Sequence, residues 1–152
     1  MKRILPFIAL FFLALQCRAE EPLRLTDVAY GSHPRQVLDF YQAKSDQPTP
    51  VVFYIHGGGW RGGDKKTNPK AFLDKGISVV AINYRYVRNA VEDKVEPPVK
   101  APLGDAARAL QFVRSKAAEW NLDKTRIGAT GASSRVSSTR SNANSTGRGC
   151  SR

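Results

Sequence analysis

Several of the residue types that build sites are scarce in this 152-residue chain, which has two cysteines and two histidines. Cys17 and Cys150 lie near opposite ends, and the first falls in a stretch that reads as a removable leader, so no disulfide framework can be drawn from them. No metal site is read from the sequence either. No acidic residue follows Asp123 and no histidine follows His56. One long apolar run exists, near the start, and no second one follows to suggest a membrane span. No internal repeat is visible.

The apolar run belongs to residues 1–19, MKRILPFIALFFLALQCRA, where Lys2 and Arg3 precede Ile4 to Leu15 and Ala19 stands before two acids. That order of charged, apolar and small residues is the pattern of a secretory signal peptide, and the run is short for a bilayer. The expectation is an exported protein, periplasmic or secreted, with no stable membrane span after leader cleavage. A retained N-terminal anchor is the alternative reading of the same residues.

A formal charge of +11 invites a nucleic-acid partner, but its distribution does not support one. Lys2, Arg3 and Arg18 lie in the leader, and Arg135, Arg140, Arg148 and Arg152 lie in the last twenty residues. The other 17 cations face 13 acids, a balance of +4 that an ordinary globular surface carries. No nucleic-acid partner is expected; four spread arginines would bind one only weakly and in a salt-sensitive way.

Between Leu23 and Thr130 the patterning is that of an α/β domain. LRLTDVAYG and QVLDFYQA alternate apolar and polar residues around the turn signal GSHP, which predicts a half-exposed hairpin. TPVVFYI and ISVVAINYRY are apolar on both faces and read as buried strands. NPKAFLDKG reads as a short helix with Asn68 as cap, Pro69 in the first helical position and Gly76 as terminator. VEDKVEPPVKAP reads as a polar loop. Leu103, Ala106, Leu110, Val113, Ala117 and Trp120 then recur at helical spacing, predicting a helix from Pro102 to about Trp120 with Asp105, Arg108, Lys116 and Glu119 facing away. RIGAT predicts a third short central strand. Strands alternating with helices imply a mostly parallel, doubly wound sheet.

Two stretches carry chemistry. His56-Gly57-Gly58-Gly59-Trp60 follows a buried strand, and its glycines allow a tight turn with uncovered N–H groups. Two such groups aimed at one point can hold the negative oxygen of a tetrahedral intermediate. An ordinary glycine turn is the alternative. RIGATGAS runs a strand into Gly-x-Ser at Gly131-Ala132-Ser133, which is how a nucleophile elbow begins.

From about Leu23 to Ser133 the chain resembles the N-terminal half of an α/β-hydrolase-fold serine esterase. It is most similar to the lipase and carboxylesterase group with an HGGG oxyanion loop, including bacterial feruloyl and acetyl esterases. YIHGGGWRGGDK, ISVVAINYRY, APLGDAARALQFVRSKAAEWNLDKTRIGATG and the incipient elbow carry the likeness. The resemblance implies Ser133 as nucleophile, with oxyanion N–H groups from Gly58, Gly59 and Ser134, and with His56 and Gly57 shaping the loop. It implies hydrolysis of short-chain or carbohydrate-linked carboxylic esters through an acyl-serine, with no cofactor. Asp105 and Asp64 each read either as a functional acid or as a favourable charge in a first helical turn. Trp60 and Trp120 read as packing residues, Trp60 also as a candidate wall of an acyl pocket.

Beyond Ser133 the family pattern stops. The triad order of serine, acid, histidine has no acid or histidine to continue it, and Arg135 stands where the elbow expects a small residue. Residues 133–152 hold seven Ser, four Arg and one large aliphatic, Val136, which predicts a disordered tail. The reading is therefore of a leader at 1–19, a hydrolase half-domain at 20–132 truncated after the elbow, and a tail from a frameshift or fusion. The resemblance implies a chain about twice this length, and the chain as given is expected to be inactive. A non-catalytic exported binding protein on a partial hydrolase fold is the alternative.

Overall fold

A computed structural model of the chain describes residues 21–131. The expected leader, the Ser133–Ser134 turn, Arg135 and the Ser/Arg-rich tail lie outside the described residues. The elements run β1 (Arg24–Ala29), β2 (Val37–Tyr41), β3 (Thr49–Ile55), α1 (Lys70–Leu73), β4 (Ser78–Ile82), α2 (Val87–Glu92), α3 (Lys100–Ser115) and β5 (Leu122–Gly131). They form one open sheet in the order β1-β2-β4-β3-β5. The β1–β2 hairpin adds antiparallel to β4, while β4, β3 and β5 are mutually parallel.

The chain passes from β3 to β4 on one side and then returns across β3 to β5 on the other. Right-handed crossovers in opposite directions send the connecting helices to opposite faces, so the expected doubly wound α/β architecture holds. The core lies between the sheet and α3, where Leu38, Phe40, Val51, Phe53, Val80 and Ile82 meet Ala109 and Val113. Trp120 closes the far end of this layer, 1% exposed and stacked on Phe40 at 4.5 Å. β-Branched and aromatic residues dominate β3 and β4 because such side chains fit a pleated surface covered on its faces.

Four expectations change. β2 is buried along most of its length rather than half exposed, since β4 pairs with its second edge. β5 is ten residues long and mostly exposed, and it is an edge strand among the described residues rather than a short central one. Residues 87–92 form a helix, seated by Asn89 Oδ1 accepting the Tyr86 N–H at 2.9 Å; the proline-rich run after it hid this turn. Finally, α3 begins at Lys100 and ends at Ser115, with Pro102 inside the first turn where its missing N–H breaks no ladder bond. Its buried face is also rotated from the apolar periodicity, leaving Leu103 52% exposed and Asp105 1% exposed. Asn68 Oδ1 does accept the Lys70 N–H as expected, although Pro69 itself occupies the cap position.

Trp120 supplies the sharpest stability test. Its indole N–H has no acceptor among the described residues, so its contribution is packing rather than hydrogen bonding. Trp120→Ala should cost about 3–5 kcal/mol of unfolding free energy by urea titration, and Trp120→Phe much less.

Candidate active site

β3 and β5 end together. Ile55 pairs with Gly131 in the parallel register, so the chain leaves both strands at the same end of the sheet. The order reverses at β3, and a crevice at the carboxyl ends of strands at such a switch point is where open α/β sheets bind ligands. The approach is close: a Cβ on Gly131 would stand 2.6 Å from the Ile55 carbonyl oxygen. A pocket of about 410 Å³ opens there, lined by residues 55–60, Tyr84 and residues 129–131.

The loop across this pocket is shaped by its glycines. Gly58 and Gly59 adopt φ of +117° and +60°, and a Cβ on Gly58 would collide with the Gly62 carbonyl. Trp60 also takes a positive φ, +64°; it packs edge-on against Tyr84 at 5.7 Å and, 37% exposed, lines the pocket.

Two hydrogen bonds orient the loop's peptide planes. Gly57 C=O accepts from His56 Nδ1–H at 2.7 Å, and Gly58 C=O accepts from Arg61 N–H at 3.1 Å. In a trans peptide the C=O and N–H of one plane point in opposite directions. Holding the Gly57 carbonyl therefore turns the Gly58 N–H the other way, and holding the Gly58 carbonyl does the same for Gly59. Among the described residues neither N–H donates to a backbone acceptor.

His56 is 5% exposed, stacked on Tyr84 at 4.3 Å with Tyr86 edge-on at 6.4 Å. Among the described residues its Nε2 has no partner. Burial pushes the imidazole pKa below its ordinary value, against the pull of the Gly57 carbonyl. The ring is thus neutral near pH 7 with its one proton on Nδ1.

Residues that the sequence did not single out hold the rest of the loop. Tyr84 OH donates to the His56 carbonyl at 2.7 Å, and Tyr86 OH donates to the Gly63 carbonyl. Gly63, at φ +109°, lies against the His56 ring, where a Cβ would collide with Nδ1. Lys65 is 9% exposed; its ammonium pairs with Asp39 at 2.8 Å and Asp27 at 3.0 Å, and its N–H donates to Asn83 Oδ1 at 2.8 Å. Asp27 reaches it from a register shift in β1, with φ +54°. The signal for this network was a charged run, RGGDK, placed against a polar strand exit, NYRY.

The two acids weighed from sequence have other places. Asp64 opens no helix; it accepts from Lys66 N–H and Asn83 Nδ2 in the loop. Asp105 is buried in α3 and accepts from Gln36 and from Arg85, both through the guanidinium fork and through the Arg85 N–H. Burial opposes its charge, but these hydrogen bonds outweigh it and hold the carboxyl below its ordinary range. With both oxygens engaged, Asp105 faces no reacting group. Ser133 and Ser134 lie outside the described residues.

The sheet order and doubly wound connections are those of the α/β-hydrolase fold, and solved esterases share that fold. A truncated form of carbohydrate esterase from gut microbiota superposes with TM-score 0.61 at 30% identity, covering 72% of this chain and 39% of its own. Esterase B of Lactobacillus rhamnosis shares the fold at TM-score 0.59 and 22% identity, over 74% of this chain and 36% of its own. Residues 38–136 match BD-FAE, and the chain belongs to that family. Relatives include "Probable isoprenylcysteine alpha-carbonyl methylesterase ICMEL1" of Arabidopsis thaliana, 32% identical over 66% of this chain and 20% of its own length. Carboxylesterase NlhH of Mycobacterium tuberculosis is 34% identical over 54% of this chain and 25% of its own. The chain thus spans about a fifth to a quarter of the curated relatives it matches.

The lowered pKa of His56 gives a pH signature. The unfolded chain takes up the imidazole proton near pH 6.5 while the folded chain still resists it, so stability present above that pH is lost as pH falls through it. Between pH 7.5 and 5.5, above the range of ordinary carboxylates, the urea midpoint should drop, and His56→Gln should flatten that dependence.

Proposed function

We propose that this chain carries the nucleophile and oxyanion half of an exported carboxylic-ester hydrolase. The observation that carries the reading is the register of β3 with β5, which ends both strands, at Ile55 and Gly131, at the same end of the sheet. Ser133 is two residues past Gly131, so its Cα is within about 7.6 Å of the Gly131 Cα by chain length alone.

On this reading Ser133 Oγ attacks the acyl carbon of an ester. The carbonyl oxygen gathers negative charge to be met by the N–H groups of Gly58, Gly59 and Ser134; the held peptide planes of the two glycines spare reorganisation during the reaction. The alcohol leaves, and water then releases the acid from acyl-Ser133. His56 and Gly57 act as a pair that fixes the loop; with Nδ1–H committed to the Gly57 carbonyl and the ring stacked on Tyr84, His56 is not the base. The proposed substrate is a short-chain or carbohydrate-linked ester; the likeness to a carbohydrate esterase at 30% identity supports the second of these. No acid or histidine follows Ser133 in this sequence. These 152 residues tested by themselves should accordingly turn over on the order of 10⁴- to 10⁶-fold more slowly than a complete triad.

The test uses the whole chain with p-nitrophenyl acetate, with and without added imidazole as an external base. Without imidazole, hydrolysis should match that of Ser133→Ala. With it, intact mass should show acetylation mapping to Ser133 and absent from Ser133→Ala. Ser133-dependent turnover without imidazole would overturn the inactivity, and acetylation elsewhere would overturn the nucleophile. Export is checked by fractionating cells that express the gene: processed chain outside the cytoplasm is expected, and an unprocessed cytoplasmic chain would contradict it.

A further inference from the structure

What holds the rim of the pocket lies one layer outside the residues that line it. The segment leaving β4, Tyr84-Arg85-Tyr86-Val87, makes three hydrogen bonds to carbonyls of the glycine loop, beside a longer contact of Tyr84 OH with His56 Nδ1 at 3.3 Å. Tyr84 OH donates to His56 C=O at 2.7 Å, Val87 N–H to Trp60 C=O at 2.9 Å, and Tyr86 OH to Gly63 C=O. The two tyrosines are alternate residues of an extended exit, so both hydroxyls fall toward the same loop. They grip it on either flank of the glycine triplet, and the Val87 N–H grips it just past the triplet's end.

Between the two tyrosines, Arg85 points the other way. Its Nε and NH2 fork the Asp105 carboxylate at 3.0 and 2.8 Å, and its own N–H donates to the same carboxylate at 2.9 Å. A planar guanidinium in a bidentate fork allows little rotation, and the added backbone bond fixes the main chain as well as the side chain. Gln36 Nε2 supplies a fourth donor to Asp105 at 2.7 Å, and Asp105 is 1% exposed. Such a cluster costs desolvation and earns little stability by itself, so its value lies in specifying one geometry.

We propose that Asp105 is a positioning residue for the oxyanion loop: by locking Arg85 it fixes Tyr84 and Tyr86, whose hydroxyls set the carbonyls on either flank of the glycine triplet. The proposal rests on the esterase reading for its purpose, but the mechanical coupling from Asp105 to the loop stands apart from any activity.

Amide hydrogen exchange of the full-length chain, resolved by NMR, separates the two without a substrate. Asp105→Asn, Tyr86→Phe and their double variant are compared with the parent. Each single variant should speed exchange at residues 56–63 by about tenfold or more, beyond any change in the β3 and β4 core amides. The double variant should be no faster in the loop than the faster single one, because both act through one clamp. Arg85→Lys, which keeps the charge but loses the fork, should reproduce Asp105→Asn in the loop. Loop rates that rise only in step with the core amides would overturn the proposal, as would additive effects in the double variant. If Asp105→Asn does not fold, Tyr86→Phe and Arg85→Lys with their double variant carry the same comparison. An intact clamp in a chain whose Ser133 never acylates would refute the esterase reading and leave the coupling standing.

Discussion

The close pairing of β3 with β5 is the constraint on which the rest of the site depends. Gly131 and the Ile55 carbonyl approach to a distance that leaves no room for a side chain. The two strands can close this gap only in one register, and that register decides where two separate segments of chain emerge. One segment carries the glycine triplet; the other ends the described residues at Gly131. A slip of a single residue would reverse the faces of β5 and carry its exit away from the loop.

A triplet of glycines is the most costly sequence to order, since each residue gives up more backbone freedom than any other type. This structure recovers the loss with carbonyl acceptors. His56, Gly57, Gly58, Trp60 and Gly63 each have their C=O engaged, by an imidazole, a backbone N–H or a tyrosine hydroxyl. The donors of Gly58 and Gly59 are left turned away from those bonds. Fixed dipoles of this kind can stabilise developing charge without rearranging as it develops. The aromatic surround lowers the local polarity and makes each of these bonds stronger than it would be in water.

Periodicity and glycine placement made the central strands and the HGGGW loop legible, because both signals are local. After Thr49 and Ser78, which hydrogen-bond each other at their starts, β3 and β4 are almost wholly strand-forming residues, and a sheet is the arrangement that packs them. The helix α3 was legible in existence but not in orientation. Hydropathy placed Leu103 inside and Asp105 outside, whereas the fork from Arg85 and the amide of Gln36, 20 and 69 residues away in sequence, bring the carboxylate in. That preference is invisible without knowing what sits opposite. The short α2 was hidden by the prolines that follow it, and the edge position of β5 depends on strand order, which no local pattern encodes. Tyr84 and Tyr86 were read as strand formers; their hydroxyls act only once the loop is folded against them.

The bulge in β1 has a reach beyond the hairpin. By turning Asp27 onto Lys65 beside the buried Asp39, it couples the outermost strand of the sheet to the far end of the glycine loop. Asp27 is largely exposed while Asp39 is not, so the two carboxylates are not equivalent: one neutralises Lys65 inside the fold, the other draws the hairpin edge down over it. A chain begun after residue 29 would keep every parallel strand and all of the pocket lining. It would nonetheless surrender the buttress that keeps the loop's second anchor out of solvent, so the minimal working unit of this fold is wider than its parallel core.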